Sequence, residues 1–268
     1  VYEYDKNGNI VKITSPEGYQ THMIYDSSDR LIRVVKTSGH KDERITAFEY
    51  DKAGNIIRET DCNGNSVRFE YDSMNRRIKM IDREGGITRL YYDAAGNVIK
   101  HISPQNYDPS KDNGHGTIYL YDSMNRLKEV WNALGYNIEK NDYNEAGQLI
   151  KKTDATKGGI EYIYDIGGRI KKVFTMGAKI KGKASQEYTY DALGNITGIR
   201  DGEGNYTQYN LDLWGRVKEI IKADESIERY SYDYAGNITS ATDGNGNTTE
   251  YKYNSLNLLS QIKDPAGS

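Results

Sequence analysis

With 268 residues and a mass of 30.4 kDa, the chain has room for one large domain or two ordinary ones. Only 36% of it is hydrophobic, with 24 Tyr against 3 Phe and 2 Trp, which excludes a thick oily core and favours thin, half-wet sheets where each Tyr ring covers apolar surface and its hydroxyl finds a partner. The 36 Lys+Arg nearly balance 39 Asp+Glu, so no net field draws in a nucleic-acid backbone; no run approaches the roughly 18 apolar residues of a spanning helix, and one cysteine, Cys62, leaves no internal disulfide.

The chain opens inside a strand, at Val1-Tyr2-Glu3-Tyr4, with no initiator Met and no signal peptide, and is expected to be a fragment of something longer. Asp5-Lys6-Asn7-Gly8-Asn9 then reads as a tight turn, and Ile10 as the start of a returning strand. The same segment comes back at Tyr25-Asp26, at Tyr50-Asp51 with Gly54, at Tyr71-Asp72, at Tyr92-Asp93 with Gly96 and at Tyr121-Asp122. It continues at Tyr143-Asn144 with Gly147, at Tyr164-Asp165 with Gly168, at Tyr190-Asp191 with Gly194, at Leu211-Asp212 with Gly215, at Tyr232-Asp233 with Gly236 and at Tyr253-Asn254. The basal spacing is 21 residues, and the longer gaps are insertions near residues 37–44, 103–116 and 175–186, read as loops. Each lies three copies after the last, so a spiral of matching pitch would gather them on one side.

Each column has a physical reason. Asp or Asn in the second place bonds its own backbone two residues on and starts a turn. Gly, Asn or Asp in the fifth place tolerates positive φ. Before the turn, large residues stand two apart, as in Phe48 and Tyr50, Phe69 and Tyr71, Tyr119 and Tyr121, or Tyr251 and Tyr253, which puts them on one face of a strand. After the turn comes an aliphatic residue and often another three places later, as in Ile10 and Ile13, Leu31 and Val34, or Ile196 and Ile199. That spacing does not fit a flat strand and predicts a bulge or strong local twist after each turn. Second turns such as Asp61-Cys62-Asn63-Gly64-Asn65, Asp201-Gly202-Glu203-Gly204-Asn205 and Asp243-Gly244-Asn245-Gly246-Asn247 close the unit. About twelve units predict an antiparallel meander of roughly 24 strands. The ends of the first turns alternate between Gly-Asn (Gly8-Asn9, Gly54-Asn55, Gly96-Asn97) and a residue followed by Arg (Asp29-Arg30, Asn75-Arg76, Asn125-Arg126), so neighbouring turns are not equivalent.

Tyr-Asp-x-x-Gly-Asn-Ile or Tyr-Asp-x-x-Asn-Arg-Leu alternating with Asp-x-x-Gly-Asn-x-Thr resembles the YD-repeat, or RHS-repeat, family over essentially the whole chain. That family includes bacterial RHS and wall-associated polymorphic toxins, cocoon-forming subunits of insecticidal toxin complexes, and teneurins. The residues themselves predict an all-β chain of repeated antiparallel hairpins, with residues 1–268 as a single continuous array of about twelve repeats. The resemblance implies that the array coils into a spiral, shell-like β-solenoid segment. It further implies a non-enzymatic role: part of a hollow shell that encapsulates a C-terminal toxin or effector domain of the same parent chain, in a secreted or cell-surface setting. On this reading the signature residues are structural, with no catalytic, cofactor or metal site and no nucleic-acid partner. The alternative is an extracellular adhesion module for glycan or protein, in which loop residues such as Tyr107 or Lys181 would carry binding.

Other signals have plainer readings. Asp264-Pro265-Ala266-Gly267 has the look of the family's self-cleavage element but lacks the Arg-Tyr-Tyr approach to it, and it falls where an ordinary second turn is due. The oxygen-rich stretches at Asp61 and Asp243 space their ligands as calcium loops do, yet lack the expected glycine and lie between strands, so they read as hairpin turns. His22, His40, His101 and His115 stand far apart with no zinc-ligand spacing. No Gly-x-Ser-x-Gly nucleophile motif occurs, and the carboxylates sit at turns where each has a structural task. Cys62 reads as an inert turn residue, and the basic stretch 179–183 as a solvated loop.

Overall fold

The computed structural model describes residues 1–37, 43–176 and 184–265. The chain divides into two units, Val1–Ile138 and Glu139–Ser268. The first carries β1 (Tyr2–Tyr4), β2 (Ile10–Thr14), β3 (Gln20–Tyr25), β4 (Leu31–Thr37), β5 (Glu43–Tyr50), β6 (Ile56–Thr60) and β7 (Ser66–Tyr71). It continues with β8 (Arg77–Ile81), β9 (Ile87–Tyr92), β10 (Val98–Ile102), the short β11 (Tyr107–Asp108) and β12 (Asn113–Gly114), β13 (Thr117–Tyr121) and β14 (Leu127–Trp131). The boundary falls inside β15 (Asn137–Tyr143), and the second unit carries the rest of that strand with β16 (Leu149–Asp154), β17 (Gly159–Tyr164), β18 (Ile170–Met176), β19 (Gln186–Tyr190) and β20 (Ile196–Asp201). Then come β21 (Tyr206–Leu211), β22 (Val217–Ile221), β23 (Ile227–Tyr232), β24 (Ile238–Thr242), β25 (Thr248–Tyr253) and β26 (Leu259–Lys263). Within each unit consecutive strands pair antiparallel, and the small β11–β12 ribbon stands apart from the ladder that joins β10 to β13. The all-β hairpin architecture expected from the repeat is therefore the one observed.

Both kinds of turn share one geometry. In the first, the Asp5 amide donates to the Asn9 carbonyl at 2.9 Å and the Gly8 amide to the Asp5 carbonyl at 3.2 Å, a tight turn followed by a residue at φ 88°. At Asp61 the same two bonds form, with Gly64 at φ 81°. Where the column holds Asp29, Asn75, Asn125 or Asn257, φ is 58–60°, in the region that short polar side chains tolerate. Lys157 and Glu225 occupy that slot in two second turns at φ 65°, residue types with no such excuse.

The bulge expected from the spacing of three lies directly after each first turn. Tyr4 pairs with Ile10 but Glu3 with Lys12, so Ile10 and Val11 together face one residue. Equivalent shifts occur at Tyr25, Tyr50, Tyr71, Tyr92, Tyr121, Tyr143, Tyr164, Tyr190, Leu211, Tyr232 and Tyr253. The extra residue returns Ile13 to the face of Ile10 and places it opposite Tyr2.

Between repeats the ladder is shorter. Pairing of β2 with β3 stops at Lys12 and His22, that of β6 with β7 at Arg58 and Arg68, and that of β8 with β9 at Lys79 and Arg89. Towards the first turns the strands have no ladder bonds, and a tyrosine hydroxyl takes their place. Tyr25 donates to the Ile10 carbonyl at 3.0 Å, Tyr50 to Leu31 at 2.7 Å, Tyr71 to Ile56 at 2.9 Å, Tyr92 to Arg77 at 2.8 Å and Tyr121 to Val98 at 3.1 Å. In the second unit Tyr164 reaches Leu149 at 2.8 Å, Tyr190 reaches Ile170 at 2.6 Å and Tyr232 reaches Val217 at 2.7 Å. Burial pushes the hydroxyls of Tyr50, Tyr121, Tyr164 and Tyr190 up from their ordinary pKa, so they remain donors.

A packed interior is nearly absent. Among the described residues, the buried hydrophobic side chains are Ile102, Val130 and Ala184. Ile102 lies beside the insertion at 103–116, which folds rather than looping freely: a 3-10 turn at Pro104–Asn106 leads into the β11–β12 ribbon, and Gly116 approaches the His101 carbonyl so closely that a Cβ would stand 2.5 Å from it. Residues 38–42 and 177–183 of the other two insertions lie outside the described residues, so their expected common side goes without a description.

Substitutions at three positions check this account. Tyr71→Phe is expected to lower the stability of its unit by about 1 kcal/mol in denaturant titration, the worth of one net hydrogen bond, whereas Tyr234→Phe, at a fully exposed turn tip, changes nothing. Gly236→Ala, at φ 92° with open space around it, is expected to cost about 1 kcal/mol and Gly236→Asn less.

Candidate functional site

Within each unit the signature residues stand at the first turns, and each turn is built around its leading Asp or Asn side chain. Asp51 Oδ1 accepts the amides of Ala53 at 2.9 Å and Asn55 at 2.8 Å, and Oδ2 accepts Asn55 Nδ2 at 2.9 Å. In the next turn Asp72 Oδ1 accepts the amides of Met74 and Arg76, while Oδ2 accepts Arg76 Nε at 2.8 Å and meets Nη2 at 2.7 Å. These donors hold the carboxyls below their ordinary range. For Asp51 the Asn55 side chain acts most strongly, and for Asp72 the Arg76 amide followed by its guanidinium. Asn144 reverses the roles, its Nδ2 donating to Gln148 Oε1 at 2.8 Å.

The sixth residue, which follows the positive-φ position, also reaches the following turn, which explains the alternation of Asn and Arg. Asn9 Nδ2 donates to Asp29 Oδ1 at 2.9 Å, Asn55 to Asn75 Oδ1 at 2.8 Å, Asn97 to Asn125 Oδ1 at 3.1 Å and Asn237 to Asn257 Oδ1 at 3.2 Å. The acceptor is in each case the positive-φ residue of the next turn, so a side chain is needed there in place of glycine. Arg turns link differently. Arg30 Nη1 donates to the Asp51 carbonyl at 3.0 Å, Arg76 to Asp93 at 3.1 Å, Arg169 to Asp191 at 3.1 Å and Arg216 to Asp233 at 3.2 Å. The same guanidiniums lie over the next repeat's ring, 4.8 Å from Tyr50, 4.6 Å from Tyr92, 4.6 Å from Tyr190 and 4.4 Å from Tyr232. Gln148 stands in for Asn, donating to the carbonyl of Gly168, the positive-φ residue of the next turn, at 2.9 Å. The sequence marked these turns as inequivalent; the forward bonds escaped it, although Asn or Asp at 29, 75, 125 and 257 always follows a turn that ends in Gly-Asn.

Other candidates resolve into structural roles. Asp243 spends Oδ1 on the amides of Asn245 and Asn247 and Oδ2 on Asn247 Nδ2, and Asp61 meets Arg83 at 3.2 Å, so neither loop presents a cluster of free oxygens. Among the described residues no group of three or more His, Cys, Asp or Glu is placed to hold a metal ion, and no helix is long and apolar enough to cross a membrane. Cys62 is exposed. The Tyr107 hydroxyl donates to the Asp112 carboxylate within the insertion, instead of standing free for a ligand. Lys181, the 179–183 stretch, Ala266 and Gly267 lie outside the described residues. Sequence reading passed over Trp214 and Tyr234, at neighbouring turn tips, which are 72% and 105% exposed. With Arg216, Tyr232 and Asp233 they line a groove of about 770 Å³.

Residues 1–138 match the family model described as teneurin YD-shell, and residues 190–227 and 232–268 match the RHS repeat. A curated relative, the probable deoxyribonuclease RhsB of Dickeya dadantii (strain 3937), is 29% identical over 150 residues, 51% of this chain and 10% of the relative. Among solved structures, a TcdB2–TccC3–TEV crystal structure is 14% identical with a TM-score of 0.44, covering 98% of this chain and 19% of that one. The Tc holotoxin pore of Photorhabdus luminescens is 14% identical with a TM-score of 0.43, covering 97% and 19%. The chain thus spans about a tenth of the curated relative's length and a fifth of these solved chains.

The carboxylate row predicts a pH response. Folded-state values below the ordinary carboxylate range contribute stability that is present above the unfolded value, near 4, and lost as pH falls through the folded values. Thermal midpoints should therefore hold steady from pH 7 to about 5 and fall below about 4. Asp72→Asn should lower the midpoint at pH 7 and flatten the acid limb, and Arg76→Ala should lower it further than Arg76→Lys.

Proposed function

The chain belongs to the YD-repeat, or RHS-repeat, family, and from that premise we propose that residues 1–268 form one array of about twelve repeats in the wall of a hollow shell that encloses a C-terminal toxin or effector domain of the same, longer chain. The observation that carries this reading is the turn row. The signature Asp, Asn, Arg and Tyr side chains are committed to bonds within their own turn or with the next repeat, which suits a wall and leaves them unavailable as acid, base or nucleophile. The segment is accordingly non-enzymatic, and any activity of the parent lies outside it. A secreted or cell-surface setting fits this role.

A second reading, an adhesion module for glycan or protein, is favoured by the exposed pair Trp214 and Tyr234, since aromatic rings on turn tips offer stacking surfaces. Under it, Trp214→Ala and Tyr234→Ala would abolish glycan-array binding without shifting the melting temperature.

Limited proteolysis of the full-length parent under native conditions, with mass mapping, tests the shell. A C-terminal segment protected until the repeats unfold is the expected result; rapid loss of everything outside an intact repeat core would contradict it.

A further inference from the structure

In the first unit, the face of the sheet turned away from the repeat tyrosines carries two cross-strand pairs of like charge, Arg58 opposite Arg68 and Lys79 opposite Arg89. They occupy the same two positions of successive repeats, since each member of the second pair follows its counterpart by one 21-residue period. Like charges placed directly opposite each other across strands are destabilising unless something neutralises them.

The second pair is neutralised from within the chain. The insertion at 103–116 lays the Asp112 carboxylate between the two cations, 3.4 Å from Lys79 Nζ and 3.3 Å from Arg89 Nη2. Three further bonds hold it there: from the Tyr107 hydroxyl to Asp112, from the Tyr91 hydroxyl to the Asp112 carbonyl at 3.1 Å, and from Lys100 Nζ to Asn113 Oδ1 at 2.9 Å.

Among the described residues no such segment covers the first pair. Arg58 meets Glu49 at 3.4 Å, with both side chains well exposed, an arrangement of little worth, and Arg58 Nε is buried without a partner. Arg68 is exposed and has no anionic partner among the described residues, and the neighbouring Glu70 is taken by Lys79 at 3.5 Å. Arg33, at the position of Arg58 one repeat earlier, faces Ala47 and is likewise without a carboxylate among the described residues.

We propose that Arg58 and Arg68 form a binding site for an acidic peptide segment, which sets an Asp or Glu carboxylate between the two guanidiniums as Asp112 does between Lys79 and Arg89. Two planar guanidiniums suit a carboxylate better than the Lys–Arg pair does, because each offers a fork of parallel donors. Arg33 extends the basic row for a second acidic residue of the same segment. The occupant is a peptide from a partner polypeptide, and the site stands whether or not the chain walls a shell.

The test is fluorescence anisotropy of a fluorescein-labelled hexaglutamate peptide with the 268-residue chain at low salt. Saturable binding is expected, weakened about tenfold by Arg68→Ala, the loss of a charge-assisted hydrogen bond, and less by Arg68→Lys. Arg229→Ala, which removes an arginine already paired with Glu219 in the second unit, should leave the affinity unchanged. Circular dichroism melts confirm that the exposed substitutions leave the fold intact, and Arg68→Gln provides a second neutral variant. Absence of saturable binding, equal weakening by Arg68→Ala and Arg229→Ala, or displacement of the peptide by an equal concentration of inorganic phosphate would each overturn the proposal.

Discussion

A β-bulge leaves backbone groups that the neighbouring ladder does not reach, and this fold repeats the bulge after every first turn. The carbonyl that opens each bulged strand therefore needs a donor from elsewhere, and the next repeat supplies one through its tyrosine hydroxyl. This accounts for a composition of 24 Tyr to 3 Phe. Phe48 and Phe69 sit two places before the turn, where a ring suffices, and no Phe takes the place from which the hydroxyl must donate. Leu211 is the one signature position without a hydroxyl, so that repeat gives up the bond to its predecessor.

Because the bulge splays adjacent repeats apart on the first-turn side, the turns there cannot rely on ladder bonds and link by side chains instead. Arg76 shows the economy of the arrangement: one guanidinium clamps its own Asp72, donates to the Asp93 carbonyl and covers the Tyr92 ring, whose hydroxyl in turn caps Arg77. With so few buried hydrophobic residues among those described, stability within each unit is a sum of repeat-to-neighbour terms in place of one core. Such a strip can be lengthened by adding repeats without redesigning an interior, a property that suits a wall.

The local structure was largely legible in the sequence. Asp or Asn followed by Gly, Asn or Asp marks a turn because those side chains cap amides and accept positive φ. The spacing of three between Ile10 and Ile13 carries the bulge, since only an inserted residue returns both to one face. Three things were not legible. Lys157 and Glu225 hold positive φ against their own preference, imposed by the strands on either side. The fold of the 103–116 insertion depends on Asp112 meeting Lys79 and Arg89, residues more than twenty places away, and no local pattern encodes that contact. In the candidate site, the forward bonds that join one turn to the next are tertiary contacts, visible in the sequence only as the alternation of Asn and Arg.

Residue-resolved hydrogen exchange tests most directly whether the array is held by repeat-to-neighbour bonds. The account predicts strong protection of the amides that pair strands across each first turn. It also predicts weaker, similar protection in every ladder between repeats, and little at the amides just after the bulges. A single central block of uniformly protected amides in each unit, exchanging together only on global unfolding, would contradict it.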